Sequence, residues 1–221
     1  MITFPSLNKS RLGNQLFQVA CTIGIAVKNN QEWGFPHWEH PFDMPVVTKR
    51  FKTINVPWGY HDIKVDDSAS ISGYLQSEKY FKHCEDLIRE LFAFKTSSAY
   101  DFIAVHVRRG DYDDRYNTLL GSDYYDKALS LLPDLPVVLF SDDMKEAERI
   151  IGTGYIAYHI DPWSDIAMMV QAKYHVIANS TFSWWGAWLS GSDRVIAPAQ
   201  WFGKLSRYST KDLYTDKMIV I

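Results

Sequence analysis

The stretch FIAVHVRRGDY, residues 102–112, joins an apolar run to two arginines, a glycine and an aspartate. The apolar run predicts a buried strand, which would deliver Arg108 and Arg109 to its carboxyl end. In open α/β sheets, ligands bind at that edge. Arginine suits phosphate because it stays charged and presents a planar fork of donors. The same residues could equally form a surface ion pair between arginine and Asp111, and the stretch alone does not choose between the two.

The whole chain has the length and composition of an ordinary globular protein. Its 221 residues, 47% hydrophobic and 22% charged, allow one large domain or two small ones. A net charge of −3 lacks the basic surplus of nucleic-acid-binding proteins, so we expect no nucleic-acid partner. Cys21 and Cys84 have no metal-binding spacing and favour a reduced protein. Because we find no signal-peptide pattern and no apolar run long enough to span a bilayer, we expect a cytoplasmic protein.

The first half predicts the opening of a nucleotide-type α/β fold. Residues 1–4 predict a strand and residues 14–27 a helix, with Asn14 as its cap and the turn at residues 11–15 lying at the edge of the sheet. A strand at residues 71–75 and a helix from about 77 to 92 follow. A polar, serine-rich segment then predicts a boundary between two domains, at residues 1–97 and 98–221.

Strands and helices alternate more clearly in the second half. The predicted strands are residues 102–107, 136–140, 157–160, 174–178 and 194–197, and the predicted helices are 122–132, 144–151, 164–172 and 182–189. We expect Ser164 to cap the third of these helices and Gly191 to end the fourth. This alternation is typical of a doubly wound parallel sheet with helices on both faces.

Polar side chains follow four of these strands, at the edge where a ligand would bind. They are Arg108, Arg109 and Asp111; Ser141, Asp142 and Asp143; Asp161; and Asn179, Ser180 and Thr181. The stretch NSTFSWWG, residues 179–186, places hydroxyls and backbone N–H groups at a helix N-terminus, which is an anion site. It is also an ordinary helix cap, and the phosphate interpretation becomes the stronger one only together with the arginine pair.

Other chemistries find less support. Asp111 and Asp113 alternate as metal-binding carboxylates do, so a divalent ion is an alternative, although two arginines could neutralise a diphosphate without one. The sequence holds no GxxxxGK[ST] phosphate loop, no GxGxxG after its first strand and no GxSxG elbow. These absences argue against a P-loop nucleotidase, a nicotinamide enzyme and a hydrolase of the serine-elbow type.

Six blocks of sequence occur together and in order. They are RLGNQLFQ (11–18), GYLQSEKYF (73–81), HVRRGDY (106–112), FSDD (140–143), ANSTFSWWGAWL (178–189) and VIAPAQWF (195–202). The set resembles the α-1,2-fucosyltransferase family, family 11 in the sequence classification of glycosyltransferases, and it spans nearly the whole chain. Two departures stand out: Ser10 and Arg11 replace the usual Gly-Gly before Leu-Gly-Asn-Gln, and the first half is shorter than usual for the family.

The resemblance implies a fold and an activity. The fold is GT-B-like, with two Rossmann-like halves facing across a cleft and a reduced N-terminal half. The activity is inverting transfer of L-fucose from GDP-fucose to the 2-hydroxyl of a galactoside-type glycan, with neither metal nor other cofactor. A lipid-linked acceptor would bring the protein to a membrane surface. Rival interpretations are a transferase for another GDP-sugar and a non-catalytic glycan-binding protein that kept the fold. Acceptor identity and oligomeric state stay open.

The resemblance also implies roles for individual residues. Arg108 resembles the arginine that holds the donor's β-phosphate, and a fixed cation there would stabilise the departing GDP. The full donor-binding set is His106, Arg108, Arg109, Asp142, Asp165, Asn179, Ser180, Thr181 and Ser183, and the acceptor side is Gly13, Asn14 and Gln15. Within that set, His106 and Asp165 match nucleoside contacts and Ser180 and Thr181 match phosphate contacts. Inversion calls for a base; Asp111 is the candidate, with Asp113 and Glu78 as alternatives.

Overall fold

A computed structural model of the chain describes residues 1–94 and 100–221. The described residues divide into two compact units. Unit 1 comprises Met1–Ala93 and Ser209–Thr215, and unit 2 comprises Phe94–Tyr208 and Asp216–Ile221. The domain boundary predicted between residues 97 and 98 lies outside the described residues, so the division at that point stays a prediction.

Unit 1 is built around a small parallel sheet. The order of its strands is β1–β3–β2, with β1 at Ile2–Thr3, β2 at Thr53–Asn55 and β3 at Ala69–Ser72. Its helices are α1 at Leu12–Lys28 and α2 at Glu85–Leu91. The three residues of β2 lie in the stretch 29–67, where the lack of a clear hydrophobic period left short strands and an irregular, substrate-facing segment as alternatives.

Helix α1 begins two residues before the predicted start. Arg11, with extended backbone, occupies the N-cap position, so Asn14 lies inside the first turn and the prediction that it caps the helix is wrong. The predicted turn at residues 11–15 is likewise mostly helix. The middle of α1 packs directly on backbone, because a Cβ added at Gly24 would lie 2.1 Å from the carbonyl oxygen of Tyr80.

The single helix predicted from about residue 77 to 92 is interrupted. Two 3-10 turns, Glu78–Tyr80 and Lys82–Cys84, precede α2. The interruption has a local cause: φ is −129° at Phe81 and −132° at Cys84, outside the helical range, so the backbone cannot continue one helix through them.

Unit 2 holds a six-stranded parallel sheet in the order β6–β5–β4–β7–β8–β9. The strands are β4 (Tyr100–Val107), β5 (Val137–Ser141), β6 (Ile156–Ala157), β7 (Ala172–Val176), β8 (Val195–Ala197) and β9 (Met218–Val220). Counted from β4, this is the order 3-2-1-4-5-6 of dinucleotide-binding folds, and it reverses direction between β4 and β7.

Four helices complete unit 2: α3 (Ser122–Ser130), α4 (Met144–Ile151), α5 (Pro162–Met169) and α6 (Thr181–Ser190). Both faces of the sheet are apolar. Ile103, Val105 and Val107 of β4 belong to one buried cluster, while Phe102 and Ala104 belong to another. This alternation along β4 matches a parallel sheet covered by helices on both faces, so the predicted α/β class is confirmed.

The start of α5 and the end of β6 differ from the prediction, and the N-cap of α5 explains the first difference. Helix α5 starts at Pro162 because the carboxylate of Asp161, not Ser164, caps it by accepting from the N–H groups of Trp163 and Ser164 at 2.9 and 3.1 Å. Strand β6, at Ile156–Ala157, is shorter than the predicted strand. None of the helices formed by residues 1–94 and 100–221 combines the length and apolar character that a membrane span requires.

Candidate functional site

The polar segments that follow β4 and β7 meet where the strand order reverses. The Tyr112 hydroxyl donates to the carbonyl oxygen of Asn179 at 2.8 Å, across 67 positions of sequence. Both groups lie beyond the carboxyl ends of neighbouring parallel strands. A doubly wound sheet forms its ligand crevice at this switch point. The structure therefore brings the two predicted anion-binding segments together.

Arg108 is held at both ends of its guanidinium group. Its Nη2 lies 2.7 Å from Oδ1 of Asp111 and its Nη1 lies 2.9 Å from Oδ2 of Asp142. The ring of Tyr112 lies beneath it, 5.2 Å from guanidinium carbon to ring centroid. The Arg108 side chain is only 13% exposed, and no described residue accepts a hydrogen bond from its buried Nε. The ion pair expected on a surface is present, but its arginine is largely buried.

Asp142 anchors the turn that carries the arginines. Its Oδ1 accepts from the backbone N–H of Arg109 at 2.9 Å, while its Oδ2 holds Arg108. Gly110 is part of the same arrangement: its φ is +38°, and a Cβ there would lie 2.1 Å from Oδ2 of Asp142. Only glycine fits this turn without displacing the carboxylate.

Arg109 faces backbone carbonyls instead. Its guanidinium group donates to the carbonyl oxygen of Arg108 at 3.3 Å and to that of Leu120. These bonds fix the loop that leaves β4. The structure thus gives Arg109 a role in loop geometry, and its predicted contact with the donor stays a prediction.

His106, the last but one residue of β4, is buried beside the start of α6. Its Nδ1 lies 2.9 Å from the Ser183 hydroxyl, which donates to the Ser180 carbonyl at 3.3 Å, and its ring lies 5.5 Å from that of Phe182. Burial lowers the pKa of His106 to about 4, so its imidazole is neutral near pH 7.

The N-terminus of α6 lies next to Tyr112. Ser180 caps the helix by accepting from the N–H of Phe182 at 3.3 Å, and Thr181 is the first helical residue. Burial raises the pKa of Tyr112 to about 12, although the positive charge of Arg108 and a hydrogen bond with Ser180 favour the phenolate. The cap interpretation is thus correct, and the same helix end offers N–H groups and a positive dipole beside the arginine segment.

Asn179 acts as a clamp under this helix end. Its buried amide nitrogen donates to the carbonyl oxygens of Thr118 at 3.0 Å and Trp201 at 2.8 Å. Its side-chain amide thus connects three segments of the chain. A direct contact between Asn179 and the sugar-nucleotide donor stays a prediction.

Asp165 is buried and holds the loop that follows β6. Its Oδ2 lies 2.7 Å from Nδ1 of His159, and its Oδ1 accepts from the N–H of Ile160 at 3.0 Å. The His159 side chain is 53% exposed against 6% for Asp165. At this sheet edge the more accessible group is His159, which sequence reasoning missed. Its position near the end of a predicted strand, six residues before Asp165, was the available signal.

The other candidates have local partners. Asp113 pairs with Arg115 at 2.8 Å, and this arginine holds the pKa of Asp113 below its usual value. Glu78 pairs with Lys82 at 3.1 Å. Asp143 caps α4 through the N–H of Glu146. Within residues 1–94 and 100–221, no group of three or more His, Cys, Asp or Glu side chains is placed to hold a metal ion.

The residues predicted for the acceptor side belong to unit 1. Gly13 is buried in the first turn of α1. The side-chain Oδ1 of Asn14 accepts from the Gln76 side-chain amide at 2.8 Å, and the Gln15 side-chain amide donates to the Leu7 backbone carbonyl at 3.0 Å. These contacts tie α1 to neighbouring loops, and the acceptor role stays a prediction.

A doubly wound sheet with an arginine and a helix N-terminus at its switch point is typical of α/β proteins that bind nucleotides. The sequence profile of glycosyl transferase family 11 matches residues 27–215, and the chain belongs to that family. The resemblance found from the six sequence blocks is therefore confirmed.

Three curated relatives illustrate the match. The chain is 34% identical to the O-antigen biosynthesis glycosyltransferase WbnK of Escherichia coli over 45% of this chain and 38% of the relative. It is 31% identical to an alpha-1,2-colitosyltransferase of Escherichia coli over 61% of this chain and 57% of the relative. It is 25% identical to human galactoside alpha-(1,2)-fucosyltransferase 1 over 87% of this chain and 67% of the relative. The matches thus span between about two fifths and two thirds of the relatives' lengths.

Proposed function

We propose that the chain transfers L-fucose from GDP-fucose to the 2-hydroxyl of a galactoside-type glycan, with inversion and without a metal. Family membership supports the glycosyltransferase class, and the printed activity of the human relative supports the sugar and linkage. A GT-B-like arrangement of the two units, with the acceptor side in unit 1, is part of this proposal.

The position of Arg108 carries the proposal. A largely buried guanidinium lies at the sheet switch point, next to Tyr112 and the N-terminus of α6. When the bond between fucose and the β-phosphate breaks, the leaving GDP gains negative charge. A fixed cation and the positive end of the α6 helix dipole stabilise that charge more in the transition state than in the ground state.

In the proposed reaction, residues of this chain hold the leaving group and accept the proton. The acceptor 2-oxygen attacks the anomeric carbon on the face opposite the diphosphate, and the bond to the β-phosphate oxygen breaks with its electron pair leaving on GDP. The acceptor proton passes to a carboxylate, for which Asp111 is the candidate because it shares the turn of Arg108. A neutral His106 suits a hydrogen bond with guanine, because an uncharged imidazole has one donor and one acceptor nitrogen.

Replacing Arg108 tests the role of the cation. Arg108→Ala should lower kcat/KM by at least about a hundredfold, the scale of losing one electrostatic contact to a developing anion. Arg108→Lys should recover only part, because lysine lacks the fork. Arg149→Ala, which removes an exposed arginine paired with Glu146, is the matched control. Circular dichroism checks folding. Turnover of Arg108→Ala close to that of Arg149→Ala would refute the assignment.

Product analysis tests the reaction itself. The protein is incubated with GDP-fucose and a panel of β-galactosides, and the linkage and anomeric configuration of any product are mapped by NMR. A chelator should leave the rate unchanged if no metal takes part. Acceptors on lipid vesicles would show whether a lipid-linked substrate brings the protein to a membrane.

A second donor is favoured by one relative. The colitosyltransferase is 31% identical to this chain, compared with 25% for the human fucosyltransferase. A panel of GDP-sugars in a thermal-shift assay separates these donors, because a ligand that binds only the folded state raises the melting temperature. Glycan binding without release of GDP would instead support the non-catalytic alternative.

A further inference from the structure

The guanidinium of Arg108 is already occupied by two carboxylates, and these two are held very differently. Asp142 is 26% exposed, accepts from the N–H of Arg109 and packs against Gly110. Asp111 is 56% exposed and reaches Arg108 from the following turn through its Oδ1 at 2.7 Å. One carboxylate is therefore part of the scaffold, while the other is an exposed ion-pair partner.

A diphosphate that approaches this arginine meets two negative charges next to one positive charge. Like charges at such distances repel, so one carboxylate has to give up its place on Arg108. Releasing Asp142 would also break its bond to the Arg109 N–H and disturb the turn at Gly110. Releasing Asp111 gives up an ion pair whose carboxylate is 56% exposed and can therefore regain hydration in water.

We propose, building on the proposed function, that the donor diphosphate displaces Asp111 but not Asp142 from Arg108, and that this exchange frees the Asp111 carboxylate for the acceptor hydroxyl. Before the donor binds, the ion pair with Asp111 keeps the Nη2 end of Arg108 in position. After the exchange, phosphate oxygen takes the Nη2 end, Asp142 keeps the Nη1 end, and Asp111 becomes the proton acceptor. The donor therefore binds before an acceptor can react.

If the donor displaces Asp111, removing the Asp111 carboxylate should tighten the binding of GDP and pyrophosphate. Asp111→Asn should bind both GDP and inorganic pyrophosphate about threefold to tenfold more tightly than the wild type, because no anion has to be displaced, while its turnover falls. Asp142→Ala should bind both more weakly, because Arg108 and the Arg109 N–H lose the carboxylate that positions them. A residue with only a structural role would not give tighter binding together with slower turnover.

The matched control lies at the opposite end of β4. Asp101→Asn makes the same change of charge in unit 2 and removes an exposed ion pair with Lys173 at 2.7 Å. It should bind both ligands within twofold of the wild type. Asp111→Ala repeats the test without an amide that could still contact Arg108. Isothermal titration calorimetry of each full-length variant with GDP and with pyrophosphate gives the affinities.

The outcomes separate this inference from the proposed function. If Asp111→Asn and Asp111→Ala bind pyrophosphate no more tightly than the wild type, the displacement is refuted even where GDP binds and fucose is transferred. If both variants bind pyrophosphate more tightly but the protein binds no GDP, the anion exchange stands and the GDP-sugar donor is refuted. If neither ligand binds the wild type, both proposals are refuted.

Discussion

Replacing Gly110 by alanine should damage the candidate site through two separable effects. The first is backbone strain, because φ is +38° at this position, and a left-handed conformation costs an L-residue about 1–2 kcal/mol. The second is a steric clash, because the new Cβ would lie 2.1 Å from Oδ2 of Asp142. The carboxylate then has to move away from the Arg109 N–H and from Arg108.

The expected magnitude follows from these two effects. A hydrogen bond to a charged group contributes about 1.5–3 kcal/mol when buried, and the partial exposure of Asp142 reduces that to about 1 kcal/mol. Together with the strain, Gly110→Ala should lower the free energy of unfolding by about 2–3 kcal/mol. Because Arg108 loses the partner of its Nη1 end, GDP should also bind at least about tenfold more weakly, which corresponds to about 1.4 kcal/mol.

Two other glycines separate strain from clash. Gly191 has a φ of +70° but open space around its Cβ position, so Gly191→Ala tests strain alone and should cost about 1–2 kcal/mol. Gly121 has a φ of −91° and open space, so Gly121→Ala should stay within about 0.5 kcal/mol of the wild type. Neither control should change GDP affinity.

The measurements are urea unfolding followed by tryptophan fluorescence, and calorimetric titration with GDP. The proposed role of Asp142 would be refuted if Gly110→Ala had the same free energy of unfolding as Gly191→Ala and bound GDP as the wild type does. Such a result would mean that Asp142 can move without loss, and that it does not anchor the arginine turn.

Two further predictions concern stability. Burial lowers the pKa of His106 and His175 to about 4, against about 6.5 in an unfolded chain, so below pH 6.5 the unfolded state binds protons that the folded state does not. Unfolding free energy should therefore fall between pH 6.5 and 4 by up to about 1.4 kcal/mol per pH unit for each histidine, as measured by urea titrations, and a flat profile would contradict this. Asn179→Asp should lower the free energy of unfolding by more than about 3 kcal/mol in the same assay, because a buried carboxylate would face the carbonyls of Thr118 and Trp201. A loss below about 1 kcal/mol would refute the role of Asn179 as a clamp.

The sequence predicts the local parts of the fold well, because their causes are local. Helix α4 begins and ends where the pattern predicts, at Met144–Ile151, since Asp143 caps it directly. Gly191 ends α6 in the left-handed conformation, as a glycine after an apolar helix predicts. Elements without such signals were missed: β9 follows a long stretch lacking periodicity, and Asp161 caps α5 in place of Ser164.

The roles of the site residues depend on pairing that no local pattern contains. Asp142 reaches the arginine turn because β4 and β5 pair with Val107 opposite Ser141, which puts the residues just beyond each strand side by side. A shift of that register would move Asp142 away from Arg108. The sequence likewise does not show that the guanidinium of Arg109 donates to the carbonyls of Arg108 and Leu120, and its predicted contact with the donor stays a prediction.

The strand order explains why one arginine can serve as the centre of this site. The chain runs outward from β4 through β5 to β6 and then returns to place β7 on the other side of β4. The loop after β4 therefore has the Asp142 turn on one side and the start of α6 on the other. Arg108 is fixed from both sides, by the Asp142 carboxylate and by Tyr112, whose hydroxyl is held by Asn179. Because these anchors come from neighbouring strands of one sheet, the cation is in position without a ligand, as the proposed stabilisation of a leaving group would require.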